Sequence, residues 1–93
     1  MPPKDDAFPM QDEATIELDS LLSRFVDGDD TSLTAANRLE VLLSEMYPAD
    51  DVVADRVGDL AQYRPGGGDY LLDATEMQSR LARLRTYLAR LRN

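Results

Sequence analysis

The chain has no cysteine, no histidine and no tryptophan among its 93 residues. The lack of cysteine excludes disulfides, thiolate nucleophiles and zinc–thiolate sites. The lack of histidine removes the side chain that most often transfers protons between about pH 5 and 8. Carboxylates acting alone need a cleft that shifts a pKa, and a chain of this size offers little room for one. We therefore expect a binding protein rather than an enzyme, with neither a metal nor a cofactor.

Long apolar runs are also lacking, since no window approaches the roughly 18–20 apolar residues that cross a membrane. The first ten residues contain three prolines and lack the basic start and apolar stretch of a secretory signal. These two absences favour a cytoplasmic protein with no membrane partner. Basic residues are few, because 10 Lys and Arg stand against 18 Asp and Glu, for a net charge of -8. A chain that neutralises phosphates carries the opposite sign, so we expect no direct contact with nucleic acid.

Apolar residues recur at spacings of three and four in four segments, as in amphipathic helices. No strand-like alternation of useful length accompanies them. We therefore predict an all-α fold, a compact bundle of four short amphipathic helices, with a flexible N-terminal tail over residues 1–10 and a single domain over residues 11–93. The predicted helices run from about Asp12 to Asp27, Leu33 to Met46 and Asp51 to Tyr63, and from Asp73 onward.

The segment ends contain residues that commonly start or stop helices. Gly28 is suited to the left-handed conformation that ends the first helix. Thr31 or Ser32 can cap the second helix, and Pro48 ends it because the residue before a proline avoids helical dihedral angles. Asp73 stands three residues before Glu76, which is the spacing of a capping box. These signals place the ends of the predicted helices.

Each predicted helix has an apolar stripe that should face its neighbours. Gly58 interrupts the third helix at a cost of up to about 1 kcal/mol relative to alanine, and we interpret it as a point of close approach by another helix. The residues predicted to form the core are Ile16, Leu18, Leu21, Leu22, Phe25, Val26, Ala35, Leu39, Leu42, Leu43, Met46, Val53, Val57, Leu60, Ala61, Met77, Leu81, Leu84, Leu88 and Leu91.

Charge is divided unevenly along the chain. The part up to Glu76 has all 18 acids and five basic residues, and the remainder has five arginines and no acid. Two interpretations remain open, a negative surface that attracts a basic protein partner or a solvated face that keeps the chain soluble. In the first interpretation the predicted partner contacts are either Asp27, Asp29 and Asp30 or Asp50, Asp51, Asp55 and Asp59, with Tyr63 and Tyr70 as interface anchors.

The two tyrosines flank the loop Pro65–Gly66–Gly67–Gly68, and either they anchor a partner or they pack on the core. The loop follows no strand and lacks the Lys and the Ser or Thr of a phosphate-binding loop. The acidic stretch from Asp27 to Ser32 lacks the glycine and glutamate that a calcium loop needs at its sixth and twelfth positions. Neither segment therefore predicts a cofactor or metal site.

Two further functions remain open. Acyl carrier proteins are acidic helical bundles of this size whose prosthetic group is attached to a serine at a helix start, and Ser20 and Ser32 lie in segments that look like that motif. The leucine repeat of the last helix would alternatively let the chain dimerise as an adaptor or subunit, although it spans barely two heptads. The oligomeric state stays open.

Two segments carry a resemblance to a known family. Leu21 to Leu43 (LLSRFVDGDDTSLTAANRLEVLL) is an apolar helix, an acidic turn with a glycine, and a second helix capped by Ser or Thr. Leu60 to Leu88 (LAQYRPGGGDYLLDATEMQSRLARLRTYL) is a helix end with an aromatic residue and a proline, a loop, and an Asp-capped terminal helix. This pattern resembles the small helical immunity proteins of the colicin D type.

The resemblance implies a bacterial protein that neutralises the cell's own nuclease toxin. In that family a negative surface occupies the basic cleft of a toxin that cleaves tRNA, and the immunity gene adjoins the toxin gene. Clustered carboxylates suit such a cleft because it is built to attract polyanions. The loop Gly66–Gly68 departs from the more acidic character expected there.

Overall fold

The computed structural model describes residues 13–66 and 72–92. It confirms an all-α bundle of four helices, and over these residues the only strand-like pairing is an isolated bridge between Tyr63 and Leu72. The predicted start at Asp12 and the predicted tail lie outside the described residues. The four helices are α1 (Glu13–Asp27), α2 (Leu33–Met46), α3 (Asp51–Ala61) and α4 (Ala74–Arg92).

Local hydrogen bonds fix where the helices start and stop. Gly28 follows α1 with a φ of 87°, the left-handed conformation that glycine adopts without strain. The Oγ of Ser32 accepts from the N–H of Ala35 at 3.1 Å, which makes Ser32 rather than Thr31 the cap of α2. Asp73 accepts from the N–H of Glu76 at 3.0 Å, as its spacing predicts. The third helix is shorter than predicted, because it ends at Ala61 and not at Tyr63.

The core lies along the common axis of the four helices. The predicted stripe of α4 is buried from Met77 to Leu88, so its leucine repeat serves the chain's own core. Three predicted core residues are exposed: Ile16 (54%), Leu91 (50%) and Ala61. The buried hydrophobic residues are Leu18, Leu21, Leu22, Phe25, Ala35, Ala36, Leu39, Leu42, Leu43, Val53, Leu60, Tyr63, Met77, Leu81, Leu84 and Leu88.

The helices form a closed ring in which α1 packs on α2 and α4, and α3 packs on the same two helices. The amide of Gln78 donates to the carbonyl of Val26 at 3.2 Å, and Arg85 donates to the Oγ of Ser23 at 3.5 Å. These contacts show that α4 runs antiparallel to α1. The prediction of a close helix approach at Gly58 is wrong, because a Cβ added there would meet nothing within 4 Å.

Among the described residues, a membrane-spanning helix would need about 18–20 residues of apolar character. None of the four helices combines the length and the apolar character needed to cross a membrane.

Candidate protein-binding site

The outer face of α3 carries two carboxylates that no described residue neutralises. Val53 and Leu60 are each 1% exposed and turn one side of the helix into the core. Asp51 and Asp55 lie on the opposite side and are exposed. Within residues 13–66 and 72–92 neither carboxylate has an ion pair or a side-chain hydrogen bond. Residues four apart lie on one helix face, so these two charges point to solvent side by side.

Asp59 differs from the other two acids of its helix because it is already paired with arginines of the chain itself. Its Oδ2 lies 2.8 Å from Nε of Arg56 and 3.1 Å from Nη1 of Arg80, and its side chain is only 17% exposed. Arg80 also forms an ion pair with Glu76 at 2.9 Å. The hydrogen bonds that Arg80 donates to the carboxylates of Glu76 and Asp59 raise the pKa of its guanidinium above the ordinary value. A partner would have to break this network to reach Asp59.

Asp50 has a structural role at the start of α3. Its Oδ1 accepts from the N–H of Val53 at 3.0 Å, and its Oδ2 accepts from the hydroxyl of Tyr87 at 2.7 Å. The bond from Tyr87, and after it the backbone bond from Val53, lower the pKa of the Asp50 carboxyl. The same contact raises the pKa of the Tyr87 hydroxyl. Asp50 therefore anchors α3 to α4, which fixes the position of Asp51 beside it.

The second acidic group lies in the turn between α1 and α2. Asp27 and Asp29 are exposed and have no ion pair among the described residues. Asp30 accepts from the N–H of Ser32 at 3.1 Å, and hydrogen bonds from Ser32 lower the pKa of its carboxyl. This turn lies at the C-terminal end of α3, about 15 Å along the helix axis from Asp51. The two acidic groups thus belong to different parts of the surface.

Tyr63 belongs to the core and is not available as an interface anchor. It is 0% exposed, and its ring packs edge-on against Phe25 with centroids 5.3 Å apart. Its hydroxyl donates to the carbonyl of Thr31, which connects the end of α3 to the turn before α2. Burial raises the pKa of this hydroxyl. Of the two alternatives for Tyr63, packing on the core is therefore correct. Tyr70 lies outside the described residues.

A groove between α2 and α3 adjoins the exposed acids and was not predicted from the sequence. Its volume is about 200 Å³, and Tyr47 and Val57 in its walls are both half-buried. The hydroxyl of Tyr47 has no hydrogen bond within the described part of the chain. The sequence marks Tyr47 only as the residue before a proline, and its place in a groove depends on how α3 packs. The lining residues are Ser44, Tyr47, Pro48, Val53, Ala54 and Val57.

The two serines that were candidates for a carrier-protein attachment site lie in α1 and at the start of α2. Ser20 lies in the middle of α1 and is exposed, and Ser32 is exposed at the cap of α2. Within the described residues no three carboxylates converge in a way that would hold a metal ion.

Comparison of the chain with protein-family models, with curated proteins and with solved structures finds no match. The resemblance to colicin D-type immunity proteins therefore stays an expectation. Any function must be inferred from the charge, burial and contacts of the chain's own residues.

Proposed function

We propose that this chain is a non-enzymatic binding protein whose α3 covers a cationic surface on another protein, most specifically the basic cleft of a nuclease toxin domain. The observation that carries the proposal is the state of Asp51 and Asp55, which are neighbours on one helix face, are exposed, and have no ion pair within the described residues. A like-charged pair at this spacing destabilises a helix by about 0.2–0.5 kcal/mol. Asp51 lies in the first turn of α3, where the helix dipole favours a negative charge, but Asp55 lies beyond that turn and adds only repulsion, so we assign the benefit of the pair to a partner.

The same chain places opposite charges at this spacing elsewhere. Glu76 and Arg80 are four residues apart in α4, with Nε and Oε2 at 2.9 Å. Arg38 on α2 forms a two-pronged pair with Glu17 on α1, with nitrogen–oxygen distances of 2.6 and 2.8 Å. These two arginines each neutralise a carboxylate of the chain. Asp51 and Asp55 differ from Glu76 in that the residue four positions away on the same helix face is another acid and not an arginine.

Inhibition by this face requires no chemistry from the chain. A nuclease cleft presents Lys and Arg to the phosphates of its substrate. Two carboxylates with Cβ atoms about 5–6 Å apart can form ion pairs with those cations. The opposite potentials accelerate encounter, and the bundle behind α3 then excludes the nucleic acid. Clustered carboxylates therefore suit this task better than a flat polar face.

The α3 face supports this role better than the turn at Asp27–Asp30. The helix is held at its start by Asp50 and at its end by the N–H of Gln62, which donates to the carbonyl of Asp59 at 3.0 Å. A surface that is already ordered loses little conformational freedom on binding. In the turn, Asp30 is engaged by Ser32 and lies in the field of Arg24. We therefore propose the α3 pair as the main contact and the cytoplasm as the place of action.

An inhibition assay tests the proposal. The natural probe is the protein encoded next to this chain's own gene, incubated with tRNA with and without an equimolar amount of the chain. We expect RNA cleavage that the wild-type chain stops and that D51K/D55K stops less well. The variant D27K/D29K changes the net charge equally and serves as the control. A neighbouring product that does not cleave RNA, or cleavage that persists with the wild-type chain in excess, contradicts the proposal.

A further inference from the structure

We infer that the groove between α2 and α3 receives one apolar side chain from a cationic segment of the partner. The inference rests on the proposed function and adds the kind of residue that the partner inserts. An inserted apolar side chain would form the centre of the interface, and the exposed acids would form its charged rim. In many protein interfaces a few buried anchors of this kind dominate binding.

The groove has the size and chemistry for such a side chain. Its volume is about 200 Å³, enough for one branched aliphatic side chain or one aromatic ring. Tyr47 and Val57 line the groove and are half-buried, so both offer apolar carbon to it, and Val53 lies beneath them at 1% exposure. The exposed Ala54 leaves its mouth open on the α3 side.

Carboxylates border the groove on both helices. Asp51 lies three residues before Ala54 on the same face of α3, and Glu40 lies four residues before Ser44 on α2. Neither carboxylate has an ion pair within the described residues. An apolar groove with anionic edges is complementary to an apolar residue flanked by Lys or Arg.

The same charges disfavour a second copy of this chain as the occupant. A two-fold symmetric contact through this face would bring the Asp51 and Asp55 side chains of two copies together. Like charges across an interface oppose association. The hydroxyls of Ser44 and Tyr47 also have no hydrogen bond within the described residues, so both are available to the backbone of an inserted segment.

A titration of the full, ¹⁵N-labelled chain followed by NMR tests the groove without the nuclease. The probe is phenethylammonium, which joins an apolar ring to a cation, and the comparison compounds are neutral 2-phenylethanol and the bare cation methylammonium. We expect saturable shifts of the Tyr47, Ala54 and Val57 amides that are strongest for phenethylammonium. Ala54→Leu fills the groove at an exposed position and should weaken the probe about tenfold. Ala89→Leu, an equal change at an exposed position of α4, should leave its affinity unchanged.

Several results would overturn the inference. The first is an affinity for phenethylammonium that Ala54→Leu leaves unchanged. The second is a set of amide shifts centred on the turn at Asp27–Asp29, and the third is the absence of any saturable amide shift. Dimers that Ala54→Leu dissociates in sedimentation would assign the groove to a second copy. Amide shifts in residues 1–12 caused by Ala54→Leu alone would assign it to the chain's own N-terminal segment.

Nuclease inhibition and probe binding together separate a failure of the groove from a failure of the proposed function. A nuclease that Ala54→Leu still inhibits fully, but D51K/D55K does not, overturns the groove and keeps the acidic face. Saturable binding of the probe in a chain that inhibits no nuclease keeps the groove and overturns the proposed function.

Discussion

The hydroxyl of Tyr87 in α4 donates a 2.7 Å hydrogen bond to Oδ2 of Asp50, the residue that caps α3. One carboxylate thus starts α3 with one oxygen and attaches it to α4 with the other. The residue that follows is Asp51, the first of the two exposed acids. The orientation of the acidic face therefore depends on this contact between residues 37 positions apart in the sequence.

Folding stability should fall in acid, in part through Asp50. Its pKa is lower in the folded than in the unfolded chain, where it is about 3.9. The carboxylate thus stabilises the fold above that value, and the contribution disappears as the pH falls through the lower folded pKa. Asp50→Asn keeps an acceptor for the cap but does not titrate. We expect this variant to be less stable at pH 7 and to lose less stability between pH 5 and 2, as measured by urea unfolding. Equal pH profiles would contradict this role.

Tyr63 should contribute to stability and not to binding. Tyr63→Phe removes the bond to the Thr31 carbonyl and should cost about 1 kcal/mol of unfolding free energy. Tyr63→Ala also empties a fully buried site beside Phe25 and should cost about 3–5 kcal/mol. Urea unfolding gives both values. A Tyr63→Phe chain that folds normally but inhibits the nuclease poorly would show that the hydroxyl has a role in the interface.

The two glycines next to the acidic groups should respond oppositely to alanine. Gly58 is helical and a Cβ there meets nothing, so Gly58→Ala should raise the unfolding free energy by up to about 1 kcal/mol. Gly28 has a φ of 87°, so Gly28→Ala should lower it by about 1–2 kcal/mol. Thermal or urea unfolding measures both. A destabilising Gly58→Ala would mean that α3 is packed more closely than the structure shows.

Ser32 should act as a helix cap and not as an attachment site. Its Oγ accepts from Ala35, so Ser32→Ala should cost about 1 kcal/mol of stability. Co-expression with a phosphopantetheinyl transferase should leave the intact mass unchanged. A mass increase that disappears in Ser32→Ala or in Ser20→Ala would instead identify a carrier domain.

The sequence predicts features that depend on near neighbours. Gly28, Ser32 and Pro48 mark helix ends because their conformational preferences act within a few residues. The buried stripes of the helix interiors follow from periodicity alone. Ile16 and Leu91 fit the same periodicity, yet they lie near the helix ends, where fewer neighbours cover them.

The site was less predictable because it depends on contacts between helices. Asp59 has the same spacing as Asp51 and Asp55, and only the packing of α3 against α4 brings Arg80 to it. Tyr63 resembles an exposed loop residue until its hydroxyl is seen to meet Thr31, 32 residues away. The groove at Tyr47 likewise forms between two helices, and no sequence pattern within either helix predicts it.

The rate of association with the nuclease partner tests the central claim most directly. We would measure it by stopped flow at low and high salt for the wild-type chain, D51K/D55K and the control D27K/D29K. The α3 variant should associate at least about tenfold more slowly than the control at low salt, and the difference should shrink as salt screens the charges. Equal rates for the two variants, or rates that are independent of salt, would contradict an acidic α3 face as the contact surface.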